Sequence, residues 1–207
     1  MPPSGEDARG LASMFASRAD HDSVTADRLS GSADAVSGLR TPVVGRLVRG
    51  EEPKFLFDAD EKGVGIGGPE ATVSPDRGGV FLFTDLRVCL VVGVGDEDKT
   101  LSLAYESVSS ASYHRAVRRH RVELAFEGTS YHLWTPTKFD RDAVERAVEY
   151  ATYRHKQETP DTGGDGMDSE ETASDSQSQR ERLERLGEAH ARAASSTPRS
   201  SSAGRRG

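Results

Sequence analysis

From Pro53 to Trp134 the apolar residues come in short runs, each closed by a cluster of Gly or Asp, and this interruption limits the fold more than any other feature. The longest run is Val88–Val92, far short of the roughly 20 apolar residues a membrane-spanning helix needs. Short β-branched and aromatic runs bounded by turn formers predict strands. Lys54–Phe57 reads as the first, closed by Asp58–Gly63, and a glycine-rich second strand follows at Val64–Ser74. Val80-Phe81-Leu82-Phe83 is apolar throughout and belongs in a core. Thr84-Asp85-Leu86 turns the chain into Arg87–Val92, and Gly95–Asp98 turns it into Thr100–Leu103. Glu106–Tyr113 is a further strand. Arg121–Glu127 alternates, with Val122, Leu124 and Phe126 on one side and Arg121, Glu123 and Glu127 on the other, and Gly128 leads into Thr129–Trp134. The chain has no Asn, so its tight hairpins must rely on Gly and Asp.

After Phe139 the period changes. Ala143, Val144, Ala147, Val148 and Ala151 form one helical stripe between Asp140 and His155. Asp140 is placed to cap that helix, and Phe139 and Val144 have the spacing of a hydrophobic staple. A short helix is also expected before the first strand, with Thr41 as cap, Pro42 at its first position and Gly50 at its end. The predicted fold is mainly β (α+β). About seven antiparallel strands in a meander fold into a partly open barrel, which protects their edges, and one C-terminal helix plugs an open end.

The rest of the chain is polar. Apolar residues make up 34% of 207 and the formal charge is −7. The acidity lies toward the ends, while residues 39–156 are nearly neutral, which argues against a general nucleic-acid binder. The composition predicts a disordered leader over 1–40, holding one helically spaced cluster (Leu11, Met14, Phe15), and a folded domain over 41–155. A flexible acidic linker at 156–178, a short charged helix at 179–194 and a disordered tail at 195–207 complete the plan. Glu6 and Asp7 stand where a secretion signal carries positive charge, so the expected location is cytoplasmic. Cys89 is the sole cysteine, so no internal disulfide and no cysteine-based metal site is possible.

Several stretches resemble the bacterial and archaeal pleckstrin-homology-like domains of the YokE-like or GRAM-like kind. Val80–Val88 is similar to that family's apolar strand followed by Thr-Asp-x-Arg-Val, and Leu101–Val108 to its stretch ending in Tyr-x-x-Val. Glu51-Glu52-Pro53 is similar to its acidic lead-in to the first strand. The resemblance covers about residues 41 to 155. It implies seven strands in two near-orthogonal sheets with a C-terminal helix, and a binding role without catalysis. Arg182–Glu188 resembles the first half of a SHOCT module, but the second half is not matched, which leaves any oligomerising role of the tail, and a homo-oligomer, as an expectation only.

The densest basic stretch is Tyr113-His114-Arg115-Ala116-Val117-Arg118-Arg119-His120-Arg121. Arginine recognises phosphate and carboxylate in a planar, bidentate way. Tyr113, His114, Arg115, Arg118, Arg119, His120 and Arg121 are therefore the candidate contact for an anionic lipid headgroup or an acidic protein segment, set against a solvated hairpin whose arginines pair with nearby carboxylates. Phosphoinositide-binding relatives carry their basic motif between the first two strands, where this chain has the acidic Asp58–Lys62. Gly63-x-Gly65-x-Gly67-Gly68 is followed by a strand-like segment, which fits a kinked strand and not a dinucleotide turn. His120 and His132 are the one pair positioned to meet across a hairpin, without a metal spacing. No cofactor or metal is implied, and neither a nucleophile elbow nor a catalytic-cysteine signature is present. Cys89 reads as a core thiol. Trp134 is expected under the helix, or lining a surface groove. The partner classes are thus a protein segment or an anionic lipid surface at the inner membrane face.

Overall fold

A computed structural model describes residues 5–159, all within one compact unit. Most of the expected linker, the SHOCT-like helix at 179–194 and the tail at 195–207 lie outside the described residues.

The strands form two antiparallel sheets. One holds β1 (Pro53–Asp58), β4 (Gly79–Thr84), β5 (Arg87–Val94) and β6 (Glu97–Ala104), in the order β1-β4-β5-β6. The other holds β2 (Val64–Ile66), β3 (Thr72–Val73), β7 (Val108–Ala116), β8 (Arg119–Phe126) and β9 (Thr129–Pro136), in the order β3-β2-β9-β8-β7. This is the expected mainly-β architecture of two sheets and one C-terminal helix, with two corrections. The glycine-rich segment 64–74 is not one strand but the hairpin β2–β3. A Cβ at Gly63 would stand 2.1 Å from the Val73 carbonyl oxygen, so only glycine admits that close approach. The chain is also not a simple meander, because β2 leaves β1 and pairs with β9, carrying the chain from one sheet to the other.

The inner faces enclose Phe57, Phe81, Phe83, Leu90, Leu103, Leu124 and Leu133, and the helix α3 (Arg141–Glu158) adds Ala143, Val144, Ala147, Val148 and Ala151. Small side chains on that stripe let the helix lie close to the sheets. Asp140 takes the N-cap position, where its carbonyl accepts from the amides of Ala143 and Val144, but its carboxylate makes no capping bond. The helix runs through Glu158, past the start of the expected linker.

All six residues of β4 are buried. Phe81 and Phe83 face the interior, whereas Val80 and Leu82 face a second core on the other side of the sheet with Leu56, Cys89 and Val91. That core is closed by the segment expected to be a disordered leader. Residues 5–40 contain α1 (Gly5–Arg18) and α2 (Ala26–Ser30), and this segment contributes Ala8, Ala12, Val24, Leu29 and Val36 to the same buried cluster. Composition misleads here because the large apolar partners are supplied by the sheet and the arm supplies mainly alanine and valine. Leu11 and Met14, which suggest docking in the sequence, stay 40% and 37% exposed.

Polar contacts pin the arm. Arg28 Nε donates to Asp58 at 3.0 Å, and the Leu56 amide on the edge of β1 donates to Ser23 Oγ at 3.2 Å. Asp98 accepts from the amides of Arg40 and Thr41 and pairs with Arg46 and Arg77. The helix expected from Thr41 to Gly50 shrinks to one 3-10 turn, Val43–Arg46.

Candidate functional site

The basic stretch predicted as the site forms the β7–β8 hairpin, and the structure divides it between two faces and a tip. Tyr113 and His120 point toward the helix side. The Tyr113 hydroxyl lies 2.8 Å from His120 Nδ1, and His120 Nε2 lies 3.1 Å from the Phe139 carbonyl. Burial pushes the Tyr113 phenol up. His114 and Arg121 point the opposite way, toward Glu123, at 3.2 and 3.8 Å. Arg119 pairs with Asp60 at 3.0 Å and Glu61 at 3.4 Å, so the acidic β1–β2 loop neutralises it. Arg115 and Arg118 remain, both exposed and without an ion pair among the described residues. They flank Val117, which is 87% exposed. Arg118 adopts φ 62°, a left-handed conformation that an L-residue takes only under the demand of a tight turn. The seven residues therefore do not form one cationic patch.

His120 and His132 do not meet. His120 faces Thr135 across the β8–β9 ladder, while His132 pairs with Glu123 on the outer face. Burial lowers the His132 pKa against the opposing pull of Glu123. Among the described residues no cluster of three or more metal-ligating side chains could hold an ion. Trp134 is not under the helix. It stands opposite Arg121 on the outer face of β9, with Lys62 Nζ 4.1 Å from its ring centre. Cys89 is buried, and burial raises its thiol pKa.

A concavity lies elsewhere, between β7 and α3. This groove of about 660 Å³ is lined by Ala111, Ser112 and Tyr113 on the strand, and by Glu145, Val148, Glu149, Thr152, Tyr153 and Lys156 on the helix. The two elements run antiparallel: the Arg141 guanidinium lies over Tyr113, and His155 Nδ1 lies 3.1 Å from the Tyr105 carbonyl. The sequence carries a faint sign of this groove. Glu145, Glu149, Thr152 and Lys156 form a second helical stripe beside the buried one, but a polar stripe on a surface helix reads as solvated unless its neighbour is known.

The sheet edges differ in how they are guarded. The edge of β1 is capped by Ser23, β3 is only two residues long, and β6 carries Glu97, Asp98 and Lys99. The outer strand β7 instead carries Ser109, Ser110, Ala111 and Ser112, small uncharged side chains that leave its backbone approachable.

No protein-family model matches the chain, and no curated protein matches it. Several solved structures that align with it are pleckstrin-homology domains. The N-terminal PH domain of Vps36 aligns at 16% identity and TM-score 0.39, over 54% of this chain and 83% of its own. A DUF1696-family protein with a pleckstrin-homology domain from Shewanella loihica aligns at 11% and 0.37, over 53% and 89%. A pleckstrin homology domain from Shewanella amazonensis aligns at 14% and 0.38, over 53% and 92%.

Proposed function

We propose that this chain is a non-enzymatic binding module of the YokE-like or GRAM-like PH kind, and that it recognises an extended protein segment laid along β7 against α3. One observation carries the reading: the uncharged part of β7, Val108–Tyr113, opens into the groove, while among the described residues the β1 edge is capped by Ser23, β3 is two residues long and β6 begins with Glu97, Asp98 and Lys99. An added strand gains main-chain hydrogen bonds from such an edge, and pockets beside it supply specificity. Arg115 and Arg118 at the hairpin tip engage acidic groups at one end of the segment, the part of the predicted anion site that stays unpaired.

A random dodecapeptide display library panned on the full chain tests this. Peptides are expected to enrich on the wild type and to be lost on Thr152→Trp, which fills the groove, with thermal unfolding confirming that this variant folds. Recovery of the same peptides on both proteins, or of none, overturns the reading.

A second reading has its own observation. Val117 projects from the hairpin tip between two unpaired arginines, an arrangement suited to an anionic bilayer surface. Flotation with vesicles of phosphatidylglycerol and phosphatidylcholine is its test. Binding that is lost in the Arg115→Ala/Arg118→Ala variant favours the membrane. No binding at low salt removes it.

A further inference from the structure

Helix α3 builds the same local pattern twice with its own arginines. Arg141 pairs with Glu145 at 2.7 Å, and its guanidinium stands 5.8 Å from the ring centre of Tyr113. Arg154 pairs with Glu158 at 2.6 Å, and its guanidinium stands 6.0 Å from the ring centre of Tyr105. In each case a cation is held between a carboxylate and an aromatic face. A third glutamate–tyrosine pair, Glu149 and Tyr153, sits four residues apart on the wall of the β7–α3 groove. It has no such cation. Glu149 makes no ion pair or hydrogen bond with the described residues, and Tyr153 is 57% exposed, its hydroxyl accepting only from Gln157.

The floor beside this pair is apolar, formed by Ala111 and the edge of Val148. A long aliphatic stem can lie on such a floor while its charged head reaches a carboxylate at the rim. The aromatic face adds cation–π attraction, and the carboxylate adds a charge-assisted hydrogen bond. Lys156 stands two helical turns beyond Glu149, about 10 Å along the axis, so the groove changes sign along its length and orients whatever lies in it.

We infer that the segment bound in this groove carries an arginine or lysine whose head group takes the place between Glu149 and Tyr153 that Arg141 and Arg154 take beside their own partners. This rests on the groove being the binding site, as proposed above. The test uses the same library on the full chain. Among peptides that bind the wild type and not Thr152→Trp, one position is expected to be predominantly Arg or Lys. Panning on Glu149→Arg is expected to shift that position to Asp or Glu. Changing the basic residue to Ala in a selected synthetic peptide should weaken binding about 10- to 100-fold, and Tyr153→Ala in the protein should weaken it without reversing the charge preference. Groove-dependent peptides with no basic position, or an unchanged preference on Glu149→Arg, overturn the inference and leave the groove reading standing. If no groove-dependent peptide is recovered, both fall together.

Discussion

Glu51→Ala is expected to lower stability by about 3 kcal/mol or more, and the melting temperature by roughly 10 °C. Glu51 is 1% exposed at the junction where the chain enters β1. Its Oε1 accepts from Thr84 Oγ1 at 2.8 Å and Arg87 Nε at 2.9 Å. Its Oε2 accepts from the Val48 amide at 2.8 Å and from a terminal guanidinium nitrogen of Arg87 at 3.0 Å. Removing the carboxylate leaves the half-buried guanidinium without a counter-charge, holding only Ser102 Oγ and the Arg46 carbonyl, while the Thr84 hydroxyl keeps the Arg87 carbonyl as its acceptor. Glu51→Gln keeps the volume and loses the charge, so it should fall between the two. The pH dependence has a definite sign. Burial pushes the Glu51 carboxyl up, but the Arg87, Val48 and Thr84 hydrogen bonds and the Arg87 charge outweigh it and hold the pKa below 4.5. The group binds its proton less readily when folded, so its contribution is complete above pH 4.5 and is lost as the pH falls through the depressed value. Thermal melts from pH 7 down to pH 3 should show the wild type converging on Glu51→Gln. A constant gap between them would refute the linkage.

Gly78→Val is expected to undock the N-terminal arm. Gly78 has φ 84°, and a Cβ there would stand 2.1 Å from the Ala35 carbonyl oxygen, where no side chain fits. The Ala35 carbonyl also accepts from the Gly79 amide at 3.1 Å. Cys89 is 1% exposed within the core that the arm covers, and it reports the loss directly. Its modification by a thiol reagent should be slow in the wild type, set by rare opening, and faster by at least about tenfold in the variant, which is what losing roughly 1.4 kcal/mol of arm docking would produce. Equal labelling rates would mean that the arm contributes little to closing that core.

These two results bear on what the sequence discloses. The stretches that suggest a family, Glu51-Glu52-Pro53, Thr84-Asp85-Leu86-Arg87 and Tyr105 to Val108, converge in space. Glu51 binds Thr84 and Arg87, the Glu52 amide donates to Asp85, and the Tyr105 hydroxyl donates to the Thr84 carbonyl. They are legible because a buried polar network tolerates few substitutes, and for the same reason they describe how the sheet corner closes, not what is bound. The strands and α3 are legible from period and punctuation. The arm is not, because Ala8 and Ala12 carry little apolar signal of their own and are buried only once the arm folds into the cluster that holds Leu82 and Val91. The candidate site is half legible. Clustered arginines draw attention to the hairpin, but no pattern of the chain alone shows that Asp60, Glu61 and Glu123 neutralise two of the four, Arg119 and Arg121. Nor does it show that Glu149 and Tyr153 stand across from a bare strand.

The placement of α3 has a consequence for the behaviour of the molecule in concentrated solution. A strand edge without charge or proline, such as the Val108–Tyr113 part of β7, is where β-proteins stick to one another. Here the helix stands beside that edge and forms the opposite wall of its groove. A second sheet approaching that edge has to pass the same eighteen-residue helix, which guards against edge-to-edge aggregation.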